Sequence, residues 1–269
     1  MEQDDAIAPV IAVMFILAIG VTFFSVYTAT YLPALKQQAE IEHLRDVETG
    51  IMRFSSDIDN AILAGTQSGR GGELSEQIRL GGGSILFNPL ESSGMIQIRE
   101  IDSFRLTITT NDTVEHTFDL SVVNVSYLPS NNFWIDQGYC WQYGYTNVTK
   151  TARSVPLQGF TSDFIPGRVK NFTDGMVSIR FTPDGNITVD AVSLEAGPDN
   201  TTSGNGMARL ALKSAVTTED LPDCISLSYE KCDPDAPFSF PVPKKNETQV
   251  FATPVAITLN RAAITLSVD

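Results

Sequence analysis

The side chains of this 269-residue sequence best suited to covalent chemistry are asparagines. Asn111, Asn124, Asn147, Asn171, Asn186, Asn200 and Asn246 each stand two residues before a Ser or Thr with no Pro between, the acceptor pattern for an N-linked sugar. If Ser or Thr followed about a fifth of the time, 13 asparagines would give on the order of two or three matches. Seven is an excess, and all lie beyond residue 100. The competing explanation is turn chemistry, which selects Asn strongly. Three cysteines are present; Cys224 and Cys232 bracket the short stretch "CISLSYEKC", which leaves a bridge between them open and Cys140 unpaired.

Other chemistry has little support. His43 lies beside Glu42 and His116 beside Glu115, and both read as surface residues of a helix and a strand. "GRGG" and "GGGS" lack the Lys and the strand-to-helix setting of a phosphate loop, and neither a G-x-S-x-G elbow nor an H-E-x-x-H pair occurs. Carboxylates in "CDPDAP" and "TPDGNITVD" have no EF-hand register and read as turns. The expectation is therefore no catalytic centre, no metal and no cofactor: not an enzyme. A net charge of −14 also argues against nucleic acid as a partner, since affinity for phosphates comes from Lys and Arg. One patch suited to contact is "NNFWIDQGYCWQYGY", which holds both tryptophans. Trp134, Trp141 and Tyr143 in it either grip a ligand from loops or fill a core.

These residues need elements to carry them. From Ala6 to Leu35 there is no charged side chain, and 30 residues make roughly 45 Å of helix, more than a bilayer core of about 30 Å requires. A cleaved secretion signal would open on basic residues, whereas Glu2, Asp4 and Asp5 precede this run. Pro9 suits a first helical turn, and Pro33 predicts a kink or break at the far end. Leu44, Val47, Ile51, Phe54, Ile58 and Ala61 then step by three or four, an amphipathic helix with one apolar stripe, which packs either on its own body or on neighbouring copies. Gly65 and "GTQSGRGG" read as its stop.

Beyond residue 76 come strand patterns: "SFRLTITT", "HTFDLSVVNVSYL", "GMVSIRFT", "NITVDAVSLEA", "ARLALKSAV" and "VAITLNRAAITLSV". Pro183 to Asn186 joins two of them as a hairpin, and residues 195–206 read as an exposed loop. The fold class is α+β: a long amino-terminal helix followed by an antiparallel sheet or sandwich. Its parts are residues 1–35, tail and membrane helix; 36–65, amphipathic extension; and 66–269, a β-rich domain.

"DDAIAPVIAVMFILAIGVTF" resembles the amino-terminal segment of archaeal type IV pilins, with Ala6, Ala8, Pro9, Val10 and Ile11 in the family's places. Ala8 and Ala12 stand where Ser and Gly are usual, and Asp4 and Asp5 where a basic residue and Gly precede cleavage, which leaves processing open. "YLPALKQQAEIEHLRDVETGIMRFSSDID" and "IRLGGGSILFNPLESSGMIQI" are similar to a group of archaeal surface proteins with the same start. The resemblance covers about the first hundred residues. It implies a structural cell-surface protein, a pilin-like subunit or minor pilin, with Pro9, Val10, Ile11, Ile16 and Phe23 packing in the membrane or against other subunits. The charge of the flanks leans toward an external amino terminus, but large domains translocate largely regardless of charge. The sugar acceptors then place residues 36–269 outside, as a single-pass membrane protein or part of an extracellular filament. The alternative is an anchored binding or adhesion module working through the aromatic patch at 133–145.

Overall fold

The computed structural model describes residues 7–68, 72–85, 90–130, 135–150, 153–157, 164–231 and 246–269. One helical rod opens the chain: α1 (Ile7–Val26), a wide turn over Tyr27–Tyr31 and α2 (Leu32–Ser68). The break expected at Pro33 is absent. Proline has no N–H and its ring crowds the carbonyl four residues back; the wide turn just before it re-registers the backbone, with the Leu32 N–H bonded to the Tyr27 carbonyl five residues back. The stop expected at Gly65 is also displaced, because α2 runs to Ser68. Gly65 serves packing instead: a Cβ there would lie 2.8 Å from the Ala262 Cβ.

The strands are β1 (Glu73–Arg79), β2 (Ser93–Thr110), β3 (Glu115–Ser130), β4 (Gly138–Gln142), β5 (Tyr145–Lys150), β6 (Arg153–Pro156), β7 (Val177–Phe181), β8 (Ile187–Ala196), β9 (Thr201–Gly204), β10 (Met207–Lys231) and β11 (Asn246–Val268). A third helix, α3 (Phe164–Gly175), precedes β7. The eleven strands among the described residues belong to one hydrogen-bonded, mostly antiparallel sheet. Its main order is β6-β5-β4-β3-β2-β10-β11-β8-β7, with β1 on β10 and β9 on β2. Every pairing is antiparallel except β11 with β8. The sheet curls until β3 meets β8, where the Ser121 N–H donates to Ser193 Oγ at 3.0 Å.

One further stretch differs from its sequence reading. "CISLSYEKC" is not a loop: β10 is extended from Cys224 to Lys231, with Leu227 and Tyr229 buried and Ser226 and Ser228 half-buried in alternation. Cys224 is a buried free thiol, and Cys232, the other half of the expected bridge, lies outside the described residues. Pro222 and Asp223 had masked the strand by looking like a turn. They form a bulge between Leu221 and Cys224, with Asp223 at φ 55°, where a missing N–H leaves no ladder position empty.

Candidate functional site

The amino-terminal rod divides into two halves with opposite surroundings. From Leu44 to Ile62 its apolar stripe is buried, and Val47, Ile51, Phe54 and Ile58 are at most 1 % exposed. They meet the molecule's own sheet, which answers the choice between intramolecular and intersubunit packing for this stripe. From Pro9 to Tyr31 every side chain is exposed except the half-buried Tyr27 and Thr28. Val10 and Ile11 are about half exposed, Ile16 is 70 % exposed and Phe23 74 %, and their large apolar neighbours match them. Twelve such side chains run from Val10 to Val26. At roughly 1 kcal/mol each, their exposure to water would cost on the order of 10 kcal/mol, comparable to the whole stability of a domain. A surface of that kind is covered in use.

The polar groups within this segment suit an apolar setting. The hydroxyls of Thr22, Thr28 and Thr30 donate to the carbonyls of Ala18, Phe24 and Val26 on the same helix at 2.7, 3.0 and 2.6 Å, so they need no water. Tyr27 and Tyr31 end the segment with ring centroids 5.7 Å apart. This is the one helix among the described residues long and apolar enough to cross a membrane.

Where the rod enters the body, polar residues fasten it. Lys36, Glu40 and His43 lie one turn apart on the inner face and are buried. Lys36 Nζ donates to the Leu90 carbonyl at 2.7 Å, and Glu40 Oε1 accepts the Ile135 N–H at 3.4 Å. Tyr127 donates its hydroxyl to the Leu80 carbonyl at 3.0 Å, so the contact of 3.2 Å with His43 Nε2 has the imidazole N–H as donor. The surface position expected for His43 is thus corrected, while His116 is half-buried on β3. Burial holds the His43 imidazole below its ordinary range, opposed by a hydrogen bond to the Leu80 backbone. Farther up, Tyr139 bonds the Leu44 carbonyl and Glu48, and burial pushes its hydroxyl up to about 12. Gly82 leaves room for His43 and Gly50 for Ile78, where a Cβ would come within 2.7 and 2.8 Å. Sequence reading missed this clamp because its polar residues interrupt an apolar stripe without any motif.

The aromatic patch is core where it is described. Trp141, Tyr143 and Tyr145 are at most 3 % exposed, and the first two set their rings edge-on to Phe172 of α3. Tyr143 and Gly144, at φ 47° and 75°, make the two-residue turn of the β4–β5 hairpin. A contact surface at Trp141 and Tyr143 is therefore corrected to packing; Trp134 lies outside the described residues.

The sugar acceptors separate by burial. Asn111, Asn171, Asn186 and Asn200 are exposed at a turn, on α3, in the β7–β8 hairpin and in the loop before β9. Asn124 is half-buried and donates to Cys140 Sγ, and burial pushes that thiol up to about 11. Asn147 is 1 % exposed inside the sheet, so it is corrected as a sugar site in the folded chain; the side chain of Asn246 is not described.

No group of three or more metal-ligating side chains exists among the described residues. The Asp190 carboxylate is taken up by Arg180 and by Asn260, while Asp184 sits exposed in its turn. A cleft of about 150 Å³ between α2 and α3 holds the Asp59–Arg168 pair at 3.3 Å, with no Ser, Thr, Cys, His or Lys among its lining residues. Compared with protein-family models, curated proteins and solved structures, the chain matches none.

Proposed function

We propose that this chain is a structural protein of the cell surface with pilin-like architecture. Its amino-terminal helix holds it as a single-pass anchor or packs with the same helix of other subunits in a filament core, and its β body stands outside the membrane carrying sugar on exposed asparagines. The observation behind this reading is the contrast along one unbroken rod: residues 44–62 are satisfied by the body, whereas Pro9–Tyr31, including Val10, Ile11, Ile16 and Phe23, present apolar side chains in every direction. A helix apolar all round belongs in lipid or in a helical core. The role is architectural rather than catalytic. The adhesion alternative has less behind it, since Trp141 and Tyr143 are committed to packing.

The test uses the full chain carrying Phe23→Cys, expressed in membranes and oxidised. Resistance to alkaline carbonate with no cross-link supports the anchor. Cross-linked multimers in sheared, sedimentable material support the filament core. Recovery as a soluble monomer rejects both.

A further inference from the structure

The apolar segment and the body meet with no stalk between them. Pro9–Tyr31 is 23 residues, about 34 Å of helix, close to the ~30 Å of a bilayer core. The next residues, Leu32, Pro33 and Leu35, are already half-buried, and Lys36 is buried. Helical side chains lean toward the amino terminus, so the Lys36 ammonium, and with it the Leu90 carbonyl it bonds, lies level with the turn just after Tyr31.

That end of the sheet presents apolar side chains alongside polar ones. Leu90 is 65 % exposed, and Met207 and Leu128 are exposed at the start of β10 and near the end of β3, on the same end. Two residues after Leu90 the chain is tied down: Ser92 bonds Gly82 through its N–H and its hydroxyl at 2.8 and 3.0 Å, and Gly82 abuts His43 of the rod. Among the neighbouring polar groups Arg79 pairs with Glu91 at 3.6 Å and Asn205 donates to Glu91 at 3.0 Å, while the Asp199 and Asp269 side chains are exposed beside the start of β10. Tyr27 and Tyr31 mark the level at which aromatic side chains collect between hydrocarbon and water.

We infer that the body rests directly on the bilayer, with Tyr27 and Tyr31 at its boundary and Leu90 and Met207 seated among the lipid headgroups. This rests on the reading of Pro9–Tyr31 as lying in lipid. Val250 is also exposed and apolar, but it pairs with Ser226 beyond the β10 bulge, far along the sheet from Met207, and serves as the control.

The experiment places the full chain in phosphatidylcholine nanodiscs and reads paramagnetic broadening of methyl resonances from spin labels on the headgroup or on the acyl chain. Headgroup labels should broaden Leu90 and Met207 several-fold more than Val250, while acyl-chain labels broaden Val21. If Val21 broadens but Leu90 and Met207 behave like Val250, the helix is in lipid and the seat is wrong. If Val21 is untouched by acyl-chain labels, the membrane reading itself fails and the seat with it.

Discussion

Residues 9–31 and 44–62 belong to one rod, yet the first half is bare and the second is core. The difference is both composition and arrangement: residues 9–31 carry no charged side chain, whereas 44–62 carry six. In the second half apolar residues keep to one stripe, with Arg45, Asp46, Arg53 and Asn60 outward, so a single sheet face satisfies them. In the first half they occupy every direction, and no one face of a body could cover them. One helix therefore carries two destinations, set by the charges it holds and by where along its faces the apolar residues fall.

Substitutions can break this comparison. The largest effect is expected at the buried stripe: Phe54→Ala removes a ring at 1 % exposure and should cost about 3–5 kcal/mol in denaturant unfolding of the detergent-solubilised protein, with membrane retention intact. Ile16→Asp, by contrast, should cost about 3 kcal/mol of insertion. It would read as release into the carbonate supernatant while the melting of the body is unchanged. Gly65→Ala tests the close approach of rod and β11: overpacking of about 1–3 kcal/mol against the Ala262 and Val192 methyls exceeds a gain of about 1 kcal/mol in helix propensity. A net loss near 1 kcal/mol is expected, and a stabilised variant would refute the close contact.

A smaller effect sharpens the clamp. Because burial depresses the His43 value in the folded state, the unfolded chain takes up the proton first as pH falls. The contribution of His43 to stability is therefore flat above its ordinary 6.5 and is lost as pH falls below it toward the folded-state value. The difference in unfolding free energy between wild type and His43→Asn, measured across that window, should shrink toward acid. The last prediction leaves stability aside. Peptide mass mapping of protein from a glycosylating host should find sugar on Asn111, Asn171, Asn186 or Asn200 and none on Asn147.

Much of the architecture is legible in the sequence because it depends on local period. The stripe from Leu44 to Ala61, the hairpin at Pro183–Asn186, where Gly185 has φ 80°, and the alternating runs of β3, β8 and β11 are all where their residues indicate. What escaped depends on distant partners. The strand from Cys224 to Lys231 hides behind Pro222 and Asp223 until β2 and β11 supply ladders on both sides. The helix α3 has a stripe of its own in Ile165, Val169 and Phe172, but Pro166 and Gly167 in its first turn give it the look of a loop; it packs through Phe172 against Trp141 and Tyr143. The candidate site divides the same way: its apolar segment is plain from residues 6–35, but the polar clamp below it is not.

The sequence by itself determined that one segment is too apolar for water and that the next has a single face to bury, because hydrophobic pattern along a helix is a local property. Only the tertiary structure decided which surface takes that face, that Asn147, Trp141 and Tyr143 are sealed inside, and that Lys36, Glu40 and His43 are buried where the rod leaves the body. Burial and polar partnership are set by residues up to about a hundred positions away, such as Tyr127 for His43 and Ile135 for Glu40, and no local pattern encodes that meeting.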